Sequence, residues 1–477
     1  MSAGRATVLA ALLLSGTMIP ALAATAPQAY PVPGGMHHND DFTVRVRSPG
    51  GDWVDLFEHD VIVDLDAPQH ASMVQFDMDG PVEVEVRRDN GDVRKLVARP
   101  TRAGVVPVVA GNVARFTLTR PAKLSIEFDG DRLHNLHLFA NPAGPAPTVP
   151  AGRNVVRFAP GIHVPPDQPG SVFAFPSHTT VLLEPGAVLR GKIALDRVTD
   201  VQILGHGIID QPERGFEITN SSDITIDGPT VINPRHYTVF CGQSDHIVIH
   251  DLNTFSAAPW SDGIDMMSCT DVRVNNVFLR TSDDSVAIYG HRWNFAGDAR
   301  NITVSDAVLW ADVAHPINIG LHGGGEAAPE TIENIAFRRI DVLEHDEDDP
   351  EYQGVMAISD GDANVVRHVS FDDIAVEHVQ EGSLLNFRVL FNQKYSLAPG
   401  RGISDITVRN VRVSNAASLS PSQIAGFDAA RSVRGVTISG LTLDGRAITS
   451  PAQADIRVGR FADGVVVVPH PRRETSH

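Results

Sequence analysis

The chain has 477 residues, 42% hydrophobic and 20% charged, a balance that excludes a disordered or fibrous polypeptide. Its 58 acidic side chains outnumber 39 basic ones, for a formal net charge of −19. A surface of that sign repels nucleic-acid phosphates and anionic membranes, so neither is an expected partner.

The first 23 residues read as a signal peptide. Arg5 supplies the basic start, Ala6 to Ile19 the apolar run, and Ala21-Leu22-Ala23 the small-x-small cleavage site. A secreted or periplasmic protein is expected. No later stretch offers the ~18 apolar residues of a membrane span.

Residues 30–141 alternate in short strands. Phe42 to Arg47 and Val82 to Arg87 are the clearest, with Ser72 to Met78, Phe116 to Thr119 and Leu124 to Phe128 beside them. Turn signals at Pro49-Gly50-Gly51, Asn90-Gly91 and Asp129-Gly130 separate them. This pattern predicts an N-terminal β-sandwich, which would either bind glycan or cap the larger C-terminal region. A Pro-rich linker is expected over 142–152.

Residues 153–460 carry an internal repeat. Each unit is a polar pair, a short alternating strand, a turn-prone residue and a second strand, as in SSDITIDGPTV, CTDVRVNNVFL and ISDITVRNVRV. The first inward positions are Ile224, Ile247, Val272, Ile302, Ile335, Val369, Ile406 and Val436, separated by 23, 25, 30, 33, 34, 37 and 30 residues. One such coil cannot bury its own apolar face, but stacked coils can. The apolar period of two excludes a helical solenoid. The expected fold is all-β: a right-handed parallel β-helix behind a β-sandwich, with a tail over 461–477. Cys241 and Cys269 lie about one coil apart; a disulfide and two buried thiols are both open.

Within the repeat, SDGID (Ser261 to Asp265), SDDSVAIYGHR (Ser282 to Arg292) and AHPINIG (Ala314 to Gly320) concentrate acids and histidines at coil spacing. Other acid pairs, Asp40-Asp41, Asp348-Asp349 and Asp372-Asp373, lack such company and read as turn or surface residues. Over roughly 181–413 the sequence resembles glycoside hydrolase family 28, the polygalacturonase family, whose motifs are NTD, DD, GHG and RIK. Asp262 matches the first motif, Asp283 and Asp284 the second and His315 the third, with Ser261, Ala314 and Pro316 replacing neighbours. The resemblance implies an inverting O-glycosyl hydrolase of a polysaccharide or oligosaccharide, with Asp283 as general acid and Asp262 and Asp284 holding the water. Such a pair usually stands ~6.5–9.5 Å apart.

His291, Arg292 and Tyr289 follow the DD strand and are expected to line a substrate cleft; Trp260 and Trp293 could stack on sugars. Asp265 reads as a turn acid or a support for its neighbours. In place of RIK, Met356 stands at the Arg position and Ile358 at the Lys position, which favours a neutral or mixed polysaccharide over homogalacturonan. The two-domain layout also resembles glycoside hydrolase family 49, the dextranase-like group. No cofactor or metal is expected, and a monomer is. Two rivals remain: a β-helix polysaccharide lyase, with calcium in the acidic loop Glu344 to Asp349, and a non-catalytic glycan-binding protein.

Overall fold

The computed structural model describes residues 26–144, 149, 151–165 and 172–469. The signal-peptide segment, residues 145–148 and 150 of the Pro-rich linker and residues 470–477 lie outside the described residues. No helix among the described residues is long and apolar enough to cross a membrane.

The repeat stacks as a parallel β-helix, and the inward column falls in the register read from the sequence. Ile224 pairs with Ile247, then Val272, Ile302, Ile335, Val369, Ile406 and Val436, one per coil. Among the described residues one long sheet of 21 strands wraps two sides and a sheet of 11 strands closes the third. The aliphatic side chains form one buried cluster from Phe173 to Val467. The Phe158 ring packs edge-on against Phe173 at 5.4 Å near the first coil.

The polar pair of each repeat now has a physical role. Asp200, Asp223, His246, Asp271, Asn301, Asn334, His368 and Asp405 all have φ between 54° and 59°. Asp251, Asn276 and Asn410 are also left-handed, at the turn between the two strands, and Asp306, Arg339 and Asp373 are left-handed at the matching positions within longer strands. These are mostly the residue types that tolerate left-handed backbone, and each column marks one corner of the coil. Cys241 and Cys269 form a disulfide between neighbouring coils, with Cα atoms 6.6 Å apart.

Residues 28–142 form two facing sheets, one containing Gln69–Met78, Ala122–Phe128 and Asp131–Pro142, the other Phe42–Arg47, Val82–Arg88 and Val113–Leu118. Strand Asp131–Pro142 is not evident in the sequence because both of its faces are buried, which erases the period of two. It runs through Pro142, so the expected linker starts after it. The expected tail begins with a further strand, Ala462–Val468, paired to Val433–Ser439.

The sandwich packs along the flank of the helix, not over its open end. Val61, Val63, Ala71, Met73 and Phe139 meet an outward apolar column that includes Ile208, Ile232, Phe255, Phe278, Trp310 and Leu343. Polar locks border this seam. Buried Arg280 donates to both Asp312 oxygens at 2.7 and 2.9 Å, to Asn135 Oδ1 at 3.0 Å and to the Arg132 carbonyl at 3.0 Å. Leu65 N donates to Ser282 Oγ at 3.0 Å, beside Asp283. Replacing Arg280 by Ala strands Asp312 in the interior and is expected to cost about 3–5 kcal/mol. Removing Arg339, exposed in its pair with Asp306, should cost about 1 kcal/mol or less. Urea midpoints of the two variants measure the contrast.

Candidate active site

Three successive coils enter the 11-stranded sheet through the same kind of turn. Ile264, Val286 and Ile317 are in register on the sheet. Two residues ahead of each stand Asp262, Asp284 and His315. Backbone bonds tie the turns together: Thr238 N donates to Asp262 O at 2.8 Å, Gly263 N to Asp284 O at 2.9 Å, and Ser285 N to His315 O at 2.7 Å. Gly263 is required by this stacking, because a Cβ there would lie 2.3 Å from the Ser285 carbonyl oxygen. Two serines brace the turns: Ser282 Oγ donates to Ser256 O at 2.9 Å, and Ser256 Oγ to Ser261 O at 2.6 Å.

The three aspartates that the sequence singled out converge. One carboxylate oxygen from each lies within 4.8 Å of the others, closer than the expected acid–base separation. The reason is the stacking: neighbouring coils are only ~4.8 Å apart.

Their environments differ sharply. Asp284 Oδ1 accepts from His315 Nδ1 at 2.7 Å and from His315 N at 3.2 Å. Its Oδ2 accepts from Asn318 Nδ2 at 2.7 Å and Tyr289 OH at 3.3 Å. Burial alone would raise its pKa, but the His315 charge and these donors together hold it below the usual carboxylate range. His315 is buried, which disfavours its charge, yet the adjacent Asp284 carboxylate pushes it up to about 9. Its second ring nitrogen meets the Tyr352 carbonyl. Both ring nitrogens thus face acceptors, as an imidazolium requires.

Asp283 receives one backbone donor, Asp284 N at 2.9 Å, and is half-buried. Burial and the Asp284 charge push it up to about 7. Asp262 is buried and pushed well above its ordinary value, by burial first and then by Asp265, Asp283 and Asp284.

Several expectations need correction. Asp265 is not a turn acid. It lies on strand Ile264–Met267 with its side chain outward, fully buried, and no nitrogen donor reaches either oxygen. Burial raises its pKa strongly and the Asp284 and Asp283 charges raise it further, against a lowering by Arg292. Tyr289 does not line a sugar surface: it is 2% exposed, and its hydroxyl serves Asp284. His291 is held by Glu330 Oε1 at 3.3 Å and by the Trp293 carbonyl at 3.0 Å, so it fastens a hairpin.

Arg292 acts on the acids through its field, and its buried Nε has no hydrogen-bond partner. Its guanidinium sits 5.4 Å from the Tyr289 ring and 5.0 Å from Trp293, and its charge lowers the pKa of Asp262, Asp265 and Asp283. The RIK register shifts by one. Met356 and Ile358 point into the core, so the outward positions are Ala357 and Ser359, and neither is cationic. Asn318 and Tyr352 were missed. Asn318 could have been found, since Ile317 and Ile319 point inward and leave it outward; Tyr352 sits on an insertion with no local signal.

The oxygens of Asp262, Asp283 and Asp284 are spaced to hold a cation. The donors on Asp284 and the imidazolium beside it suit an anion there instead. The acidic loop is paired within the protein: Glu344 with Arg132 and His378, and Asp346 with Gln380 at 2.5 Å. It offers no preformed calcium cage.

The sequence model of Glycosyl hydrolases family 28 matches residues 183–457. Among solved structures, Dex49A from Penicillium minioluteum is similar at 15% identity and a TM-score of 0.64, over 92% of this chain and 96% of that one. The exopolygalacturonase from Thermotoga maritima is similar at 12% identity and a TM-score of 0.49, over 67% and 84%. The family 28 exopolygalacturonase from Yersinia enterocolitica gives 11% and 0.44, over 82% and 97%. Dex49A shares the fold. A comparison with curated proteins found no significant match.

Replacing His315 by Gln removes the cation that stabilises the Asp284 carboxylate. Its pKa should rise, so in ¹³C NMR the Asp284 carboxyl resonance is expected to titrate at higher pH than in the wild type.

Proposed function

The chain belongs to glycosyl hydrolases family 28, whose model spans more than half of it, and from that premise we propose an inverting hydrolysis of a glycan by Asp283, Asp262 and Asp284. One observation carries the reading: adjacent acids in one site are driven to opposite protonation states. Asp283 keeps its proton up to about pH 7, whereas Asp284 is held as a carboxylate by His315, Asn318 and Tyr289.

In the reaction, the half-buried Asp283 carboxyl gives its proton to the glycosidic oxygen as the bond from that oxygen to the anomeric carbon breaks. Water forms the new bond to the anomeric carbon on the opposite face. Asp262 and Asp284 flank that water, and the ionised member takes its proton. Burial raises Asp262 and Asp265 well above ordinary carboxylates, which limits the negative charge in the cluster. The fixed carboxylate also stabilises the positive charge that develops on the sugar ring.

One observation favours a second reading. Carboxylate oxygens within 4.8 Å of one another fit the ~5–5.5 Å spacing of a retaining enzyme better than the inverting range. The anomer released first, read by ¹H NMR, decides between them. The disulfide between Cys241 and Cys269 supports action in an oxidising compartment, as does the signal-peptide pattern at the N-terminus.

Asp283→Asn should lower the hydrolytic rate by about 10²–10⁴-fold. Because the acid must be protonated, wild-type activity should fall as pH rises through about 7. Reducing-end release across pH checks both; full activity of the variant would refute the assignment.

A further inference from the structure

The row of turns that carries Asp283 runs on along the helix in both directions. Phe216, Val239, Ile264, Val286, Ile317 and Met356 are in register on successive coils. The residues three ahead of them are Glu213, His236, Ser261, Asp283, Ala314 and Gln353. A glycan lying across the acids would follow this row from coil to coil. The two directions away from Asp283 differ.

Toward the earlier coils the row is open. Glu213 is 61% exposed and His236 is half-buried. Ser261 folds into its own turn, with Oγ donating to Ala258 O at 2.6 Å, but its neighbour Trp260 stands 64% exposed. Trp293 is 50% exposed on the same side, stacked on Tyr237 and Phe240. Arg292 and Arg214 flank that ring, each with a buried Nε that has no partner. Donors left free in this way suit a bound ligand.

Toward the later coils the row is sealed. Ala314 is 6% exposed and Gln353 8%. The cover is the insertion that follows strand Thr331–Glu344. Its Asp346 forms an antiparallel bridge with Ala314, the next residue of the row after Asp283, and a parallel bridge with Glu381. Tyr352 crosses the same coil: its carbonyl meets His315, and its hydroxyl accepts from Asn318 Nδ2 at 3.0 Å. A second insertion, after strand Leu385–Val389, folds back to meet the first. Its Tyr395 stacks on Tyr352 at 5.4 Å and 27°, and Ser396 Oγ donates to Leu321 O at 3.0 Å. The sheet beneath is buried although its side chains Asn318, Ala357, Ser359 and Asn386 alternate with the core and point outward. A polysaccharide running through the site would need the space that the two insertions fill.

We propose that the cleft is blind on the side of the later coils, so that the protein attacks chain ends. The glycan enters from the side of Trp260 and Trp293. Its end lodges against the wall of Tyr352, and one short product of fixed size is released. The inference rests on the glycan-hydrolase reading and adds the mode of attack, whatever the charge of the sugar.

Two measurements test it. Both native cysteines are in the disulfide, so an introduced cysteine is the one free thiol and reports its own exposure. Ser359→Cys and Ala314→Cys lie behind the wall, and Glu213→Cys lies on the open row. The folded chains are treated with the thiol reagent DTNB. Reaction at the two walled positions is expected to be about 100-fold slower or more than at Glu213→Cys, with all three titrating fully in urea. Reaction at either walled position as fast as at Glu213→Cys would overturn the blind cleft.

In parallel, the wild type is given dextran, laminarin and polygalacturonate. From whichever is cut, one short sugar of constant size should appear from the first minutes while viscosity falls slowly. An early ladder of product sizes with a steep drop in viscosity would overturn attack at chain ends. If none of the three is cut while the walled thiols stay shielded, the hydrolase reading fails and the closed cleft stands.

Discussion

The inward column that runs through Ile224, Ile247, Val272 and Ile302 holds each coil at one height and one angle relative to the next. A slip of one residue would turn that column outward, which no coil could survive, so the register is strongly fixed. The site inherits its geometry from this constraint. Asp262, Asp284 and His315 occupy equivalent turns on three successive coils, and their backbones bond in sequence. Residues far apart in the chain are thereby held at coil spacing. The sandwich reinforces the arrangement from the flank: Arg280 and Leu65 anchor the strand and turn that lead into Asp283.

Stacking alone would give three similar acids repelling one another. The next coil breaks the symmetry. His315 and Asn318 place their donors on Asp284 and leave Asp283 with a single backbone bond. Burial then acts in opposite senses. It strengthens the ion pair that keeps Asp284 charged, and it keeps the proton on Asp283. Burial raises Asp262 and Asp265 as well, so the cluster need not hold four negative charges. Preorganised charge of this kind needs no rearrangement when positive charge develops on a substrate.

Much of the fold was legible because the repeat states its own register: each inward position named from the sequence pairs with the next. The Asp and Asn residues flanking each strand became intelligible as left-handed corners. The three aspartates and His315 were legible as a motif. Their protonation states were not, since these depend on the Tyr289 hydroxyl turning back to Asp284, on Asn318 from the next coil and on Tyr352 from an insertion. Asp265 and the Ala357–Ser359 pair show a different limit. The sequence has the alternation, but which phase faces outward is settled only when Ile264, Met356 and Ile358 are seen in the core. Strand Asp131–Pro142 and the flank docking were hidden for a related reason, because burial on two faces leaves no pattern to read.

Catalysis of this kind requires above all that Asp283 retain its proton near neutrality while its neighbour Asp284 does not. Difference infrared titration of the carboxylic-acid carbonyl stretch, wild type minus Asp283→Asn, measures this directly. The predicted result is a protonated carboxyl present only in the wild type that ionises at about pH 7. A difference band that has vanished by pH ~4, the range of an ordinary aspartate, would contradict it.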